Sequence, residues 1–191
     1  MEAPEKKIIK LCKDNKKEGF DLLFEKYERF IYGIAFRYTA SRDDSLDLLQ
    51  EVYIKIYKAI SRFNDSQPLL PWIKKITVNT CLNFLRDKEK STLSLDSKTD
   101  DDKGSVLDYI ASAASVEDEV SYMDTKKTLE KNIHELPPEM RMAVILRHMK
   151  NMSYEDISKA MSCPVGTVKT YLFRGRKILK DKLKASGIWE V

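Results

Sequence analysis

The chain has 191 residues, 42% hydrophobic and 34% charged, with a formal net charge of +4. That length holds one good-sized domain or two small ones, and six glycines and six prolines are too few for the many turns of an all-β architecture. No run approaches the roughly 18 uninterrupted apolar residues of a membrane span, and the first twenty residues, MEAPEKKIIKLCKDNKKEGF, lack the apolar core of a signal peptide. A cytoplasmic, all-α protein with no membrane insertion is therefore expected.

In chain order, residues 18–87 read as helical almost throughout. In FDLLFEKYERFIYGIAFRYT, residues Phe20, Leu23, Phe24, Tyr27, Ile31, Ile34 and Ala35 recur at three- and four-residue spacing, the stripe of a core-facing helix. A second helix starts at the cap-prone Ser41, Asp43 and Asp44. On it Leu49, Val52, Tyr53, Ile56 and Ile60 form the inward side. Asp47, Gln50 and Glu51 lie opposite, and Ile54 joins them at the same angle. An acidic face holding an exposed isoleucine fits the docking of a basic partner, or simply a solvated surface.

The segment NDSQPLLP breaks the pattern, and Pro71 suits the first turn of the next helix, WIKKITVNTCLNFLRDKEK. Helical projection gathers Lys75, Asn79, Asn83 and Arg86 on one stripe with Trp72 near it. Ile73, Val78, Cys81, Phe84 and Leu85 lie broadly opposite. Cations, amides and an aromatic on one face suit unstacked single-stranded bases; a core Trp72 beside ordinary surface amides is the plainer alternative.

From Ser91 to about Ser121 the chain turns rich in Ser and Asp, and it is expected to be a flexible linker. Charge follows the same division: net +4 over residues 1–90, −6 over 91–135 and +6 over 136–191. Two nucleic-acid-facing modules joined by an acidic connector would produce that layout. Helical pattern returns near Met123. TKKTLEKNIHEL stops at Pro137–Pro138, and PEMRMAVILRHMKN follows with Met140, Val144, Ile145 and Met149 as inward candidates.

The last two helices carry the most specific spacing. Ser153 is a cap with Asp156 three residues on. Tyr154 to Met161 make a short helix, SCP breaks it, and Val165 or Gly166 starts a longer basic one, the helix-turn-helix plan. Small Ser158 stands where two helices cross, Ser162 falls at a turn that favours positive φ, and Val168 points inward six residues later. Val165, Leu172 and Leu179 share the side of Val168, whereas Gly166, Thr170, Phe173 and Lys177 project outward, flanked by Lys169 and Arg174. Cys12, Cys81, Cys163, His134 and His148 show no metal-ligand spacing. No metal, cofactor, small-molecule substrate or catalytic chemistry is expected.

Residues 136–179, LPPEMRMAVILRHMKNMSYEDISKAMSCPVGTVKTYLFRGRKIL, resemble region 4 of bacterial extracytoplasmic-function (ECF) RNA polymerase sigma factors, above all the envelope-stress, sigma-E-like subgroup. A helix with TVKT also occurs in response-regulator output domains, so the N-terminal half decides. There DLLQEVY is similar to the family's core-binding motif, with Leu46 where the family usually has Glu, and Trp72 to Arg86 resemble its −10-reading helix. The preceding RFNDSQPLLPW is more proline-rich than usual.

The resemblance spans roughly residues 18–90 and 124–184. It implies two small helical domains, sigma region 2 over 1–92 and sigma region 4 over 123–187, joined by an acidic linker over 93–122. It further implies that Asp47, Gln50, Glu51 and Ile54 dock on core RNA polymerase, on the largest-subunit clamp helices, with region 4 on the flap. Trp72, Lys75, Asn79, Asn83 and Arg86 would take the melted −10 element of promoter DNA. Lys169, Thr170, Phe173 and Arg174 would read −35 bases, with Thr167, Arg176 and Lys177 on phosphates. The linker, through Asp100–Asp102, would thread the polymerase's product-RNA channel. An anti-sigma factor is an expected partner. A helix-turn-helix regulator acting without polymerase, or a protein that sequesters another regulator, are the alternatives.

Overall fold

The computed structural model describes residues 4–92 and 116–188, and these separate into two compact units. Among the described residues there are helices and no strand. The N-terminal unit contains α1 (Pro4–Lys13), α2 (Lys17–Thr39), α3 (Arg42–Ala59), a 3-10 turn (Ile60–Arg62) and α4 (Leu69–Thr92). Helix α1 precedes the run that periodicity predicts.

Helix α2 ends because Ala40 adopts the left-handed conformation, φ 56°. Ser41 then caps α3, accepting a hydrogen bond from the Asp44 amide at 3.2 Å. Leu23, Tyr27 and Ile31 of α2, Val52 and Ile56 of α3, and Leu69 and Ile73 of α4 form one core, closed by Ile8, Ile9 and Cys12 of α1. Gly19 lets α2 meet the end of α1: a Cβ there would lie 2.6 Å from both the Leu11 Cβ and the Cys12 amide nitrogen. Burial of this kind is worth about 25 cal/mol per Å² of apolar surface, so the short α1 is held mainly by its inward face. Glu5 adds a polar latch, accepting from Lys26 Nζ at 3.0 Å and Tyr27 Oη at 2.9 Å.

The C-terminal unit contains α5 (Val116–His134), α6 (Pro138–Val144) running into a π-helical turn (Ile145–Met149), α7 (Tyr154–Met161) and α8 (Val165–Ala185). Helix α5 begins seven residues ahead of Met123, inside the stretch expected to be linker. The expected channel-threading segment with Asp100–Asp102 lies outside the described residues. Helix α6 is more buried than its predicted stripe: Met142, Ala143 and Leu146 join Val144 and Ile145 inside, while Met140 and Met149 are only half-buried. A helix apolar around most of its girth sits in the middle of its unit. Gly175 permits the close crossing of α8 on α6: a Cβ there would lie 3.2 Å from Val144 Cγ2.

Candidate nucleic-acid interface and docking face

The outward face of α3 carries Asp47, Gln50 and Glu51, all exposed, and Ile54 at 44% exposure. Glu51 is paired with Lys55 one turn on, at 2.7 Å, and Lys55 also donates to Thr80 of α4 at 3.2 Å. Leu46 is 45% exposed and Tyr57 54%, so the acidic face continues into an apolar groove of about 500 Å³ lined by Phe20, Phe24, Leu46, Gln50, Tyr53 and Ile54. Phe24 is a correction to the predicted α2 stripe. It is exposed because it lies at the edge of that stripe and packs sideways, its ring 4.8 Å from that of Tyr53. Phe20 is half-buried and meets Tyr57 at 5.0 Å. Sequence spacing missed this groove because the edge of a wide apolar stripe reads as core.

Along α4, Lys75, Asn83 and Arg86 are exposed and Asn79 is half-buried. Ile73, Val78 and Cys81 are buried beneath them, while Phe84 and Leu85 are half-buried. Trp72 is half-buried as well. It packs against the core and its ring sits 4.9 Å from that of Phe63 at 48°. The indole therefore serves the core and the surface together. A second hollow brings Glu51 of α3 beside Asn83, Phe84 and Lys88 of α4, so the docking face and the amide stripe are neighbours. Burial pushes the Cys81 thiol up to about 12, which keeps it an unreactive core group.

In the C-terminal unit the predicted caps and turn are in place. The Asp156 amide donates to Ser153 Oγ at 3.0 Å. Ser158 Oγ donates to the Cys163 carbonyl at 2.5 Å while the Cys163 amide donates to the Ser158 carbonyl at 3.1 Å. That reciprocal pair ties α7 to the turn, where Ser162 holds φ 53°. Val168, Leu172 and Leu179 are buried and Val165 half-buried. Lys169, Thr170, Arg174, Arg176 and Lys177 are exposed, Thr167 is half-buried, and Phe173 is 67% exposed. Thr170 Oγ1 donates to the Gly166 carbonyl at 3.0 Å, which turns its methyl group into a fixed feature of the helix.

Two residues that the sequence did not single out support this face. Arg147, in the π-helical turn, donates to the Met152 carbonyl at 2.8 Å and lies 5.1 Å from the Tyr154 ring centroid. It fixes the entry to α7. His148 has its pKa lowered by partial burial and by the cations of Arg176 and Arg147, which disfavours adding a further positive charge beside α8. Neither shows in a helical projection, because their partners lie on other elements.

Comparison with known proteins gives one answer for both units. Residues 23–91 match the family description Sigma-70 region 2, and residues 127–179 match Sigma-70, region 4. The chain is 30% identical over 178 residues to the ECF RNA polymerase sigma-E factor of Haemophilus influenzae, covering 93% of this chain and 94% of that one. It is 29% identical over 181 residues to the RNA polymerase sigma-H factor of Pseudomonas aeruginosa, covering 94% of each. Among solved structures, the sigma factor RpoE of Bartonella quintana, crystallised with the anti-sigma factor NepR, superposes with a TM-score of 0.66 at 22% identity. That match covers 86% of this chain and 96% of the other, and it shows a shared fold.

Proposed function

We propose a division of labour for this chain, which belongs to the extracytoplasmic-function sigma factors of the sigma-70 family. A sigma factor binds core RNA polymerase and directs it to promoters; it contributes recognition and no bond-making chemistry. The N-terminal unit docks on polymerase through Asp47, Gln50, Glu51 and Ile54 of α3. Its α4 stripe, Trp72, Lys75, Asn79, Asn83 and Arg86, takes the unwound −10 element. Amides reach base edges, cations hold the backbone, and a stacked base is worth about 1–3 kcal/mol, which helps to keep a short bubble open.

The C-terminal unit lays α8 in the major groove of the −35 element. Lys169, Thr170, Phe173 and Arg174 face base edges, where an Arg fork suits guanine and an apolar contact suits a thymine methyl. Thr167, Arg176 and Lys177 take phosphates, which position the helix without choosing a sequence. Work with polymerase on chromosomal promoters places the protein in the cytoplasm, and among the described residues no helix is long and apolar enough to cross a membrane. An anti-sigma factor is the expected regulator; the Bartonella quintana sigma factor was solved in complex with one.

The observation that carries this reading is the exposure of Phe173 amid Lys169, Arg174 and Lys177, on a helix whose opposite side is buried. A solvated structural helix has no use for that phenyl ring. The test is run-off transcription from a randomised promoter library with purified core polymerase. Transcripts that require both the chain and polymerase, and that select two spaced elements, are expected; binding to symmetric duplex sites without polymerase would contradict it.

A further inference from the structure

Helix α1, the turn after it and the first residue of α2 carry Lys6, Lys7, Lys10, Lys13, Lys16 and Lys17. Ile8, Ile9 and Cys12 are buried against the core. Helical spacing then puts Lys6, Lys10 and Lys13 together on the opposite side. A helix that merely closes a core needs a polar outer face, and mixed charge serves that best. Here the acids are drawn off. Glu5 is turned to Lys26 and Tyr27, and Glu18 takes Lys7 at 3.7 Å. Asp14 is the exposed acid that remains. Lys6 and Lys10 are exposed, and among the described residues no acidic side chain pairs with either.

Position gives that charge a use. Lys13 is paired with Asp65 in the loop before α4, and Ile8 and Ile9 share one buried core with Leu69 at the start of α4. Helix α1 is thus tied, by that pair and that core, to the segment that leads into Trp72 and Lys75. The lysine face therefore lies on the helix anchored beside the loop that opens α4. Ammonium groups on flexible stems suit a phosphate backbone whose path is not fixed, and they carry no base information.

We propose that the lysine face of α1, centred on Lys6 and Lys10, binds the phosphodiester backbone of the single strand held by α4, extending that grip past the Trp72 end of the stripe. The proposal rests on the assignment of α4 to unwound −10 DNA. The contact supplies affinity that is blind to sequence, so it steadies the open strand without altering which promoter is chosen.

The test uses holoenzyme assembled at saturating core polymerase and a fork-junction promoter probe whose non-template strand is single-stranded from the −10 element onward. Affinity is measured across a potassium chloride series for the wild type, Lys6→Gln/Lys10→Gln and Asn83→Ala. The double lysine variant is expected to flatten the slope of log affinity against log salt by about 1.4, from about 0.7 for each lysine on a single strand. Its loss is the same factor on probes that differ in −10 sequence, and it vanishes at high salt. An unchanged slope beside a weakened Asn83→Ala overturns the α1 proposal alone. Unchanged binding in both variants overturns the α4 assignment with it. A double-variant defect confined to assembly with core polymerase makes the patch a polymerase contact and also overturns the proposal.

Discussion

The two faces proposed to meet nucleic acid are built in opposite ways. On α8 the side chains proposed to read bases stand clear of the fold: Val168 and Leu172 are buried, while Phe173 and Arg174, one and two positions past Leu172, are exposed. On α4 the same residues serve fold and face together, with Trp72 packed against Phe63 and Asn79 half-buried. A duplex major groove is already shaped and can be met by a protruding helix. A base taken from a stacked strand needs a site with walls, and those walls are shared with the core. The consequence is that function and stability separate in the C-terminal unit and are coupled in the N-terminal one.

Trp72→Ala strains that contrast hardest. Truncating a large packed aromatic costs about 3–5 kcal/mol in a full core, and about half of that is expected for a half-buried indole. Urea unfolding shows the loss, and fork-junction binding falls with it. Phe173→Ala should shift unfolding by less than about 0.5 kcal/mol yet weaken −35 duplex binding. Equal stability losses in the two variants would erase the distinction.

Next in size is Arg174→Ala, expected to cost about 1–3 kcal/mol of discrimination at one −35 position with unfolding unchanged. Selection from a promoter library reads it directly; an unchanged −35 preference removes Arg174 from the base-reading set. Ser162→Gly works on the same unit from the scaffold side. The left-handed turn at φ 53° costs an L-residue about 1–2 kcal/mol that glycine avoids, less the entropy glycine adds to the unfolded chain. A net gain of up to about 1 kcal/mol, with promoter preference intact, is expected in thermal unfolding.

The smallest effect is electrostatic and belongs to α1. The Lys26 ammonium and the Tyr27 hydroxyl hold the Glu5 carboxyl below the usual carboxylate range. A depressed folded pKa stabilises above the unfolded pKa, and the contribution is lost as pH falls through the folded one. For this largely solvated group it is well under about 1 kcal/mol after screening. Glu5→Gln should therefore be slightly less stable than the wild type at neutral pH, and the two should converge in acid. A gap that persists at low pH would assign the effect to packing.

The same contrast decides how much the sequence disclosed. In α8, period separates inside from outside, so Phe173, Arg174 and the Ser162 turn could be read directly from spacing. In α4 the period places Trp72 between faces, and only its contact with Phe63 shows that it belongs to both. Helix α1 escaped because its four lysines mask a short apolar stripe of Ile8, Ile9 and Cys12. The start of α5 escaped because its first-turn acids look like linker. The α2–α3 groove escaped because Phe24 reads as core until the helix beside it is placed. Local period reveals which way a residue points; what meets it there is a tertiary fact.

The most direct test of separate grips on one polymerase-borne factor is library run-off transcription with core polymerase, comparing wild type, Arg174→Ala and Asn83→Ala. Arg174→Ala is expected to relax the −35 preference alone, and Asn83→Ala the −10 preference alone, with every transcript dependent on polymerase and chain together. A variant in either helix that flattens both elements, or transcripts indifferent to both changes, would contradict it.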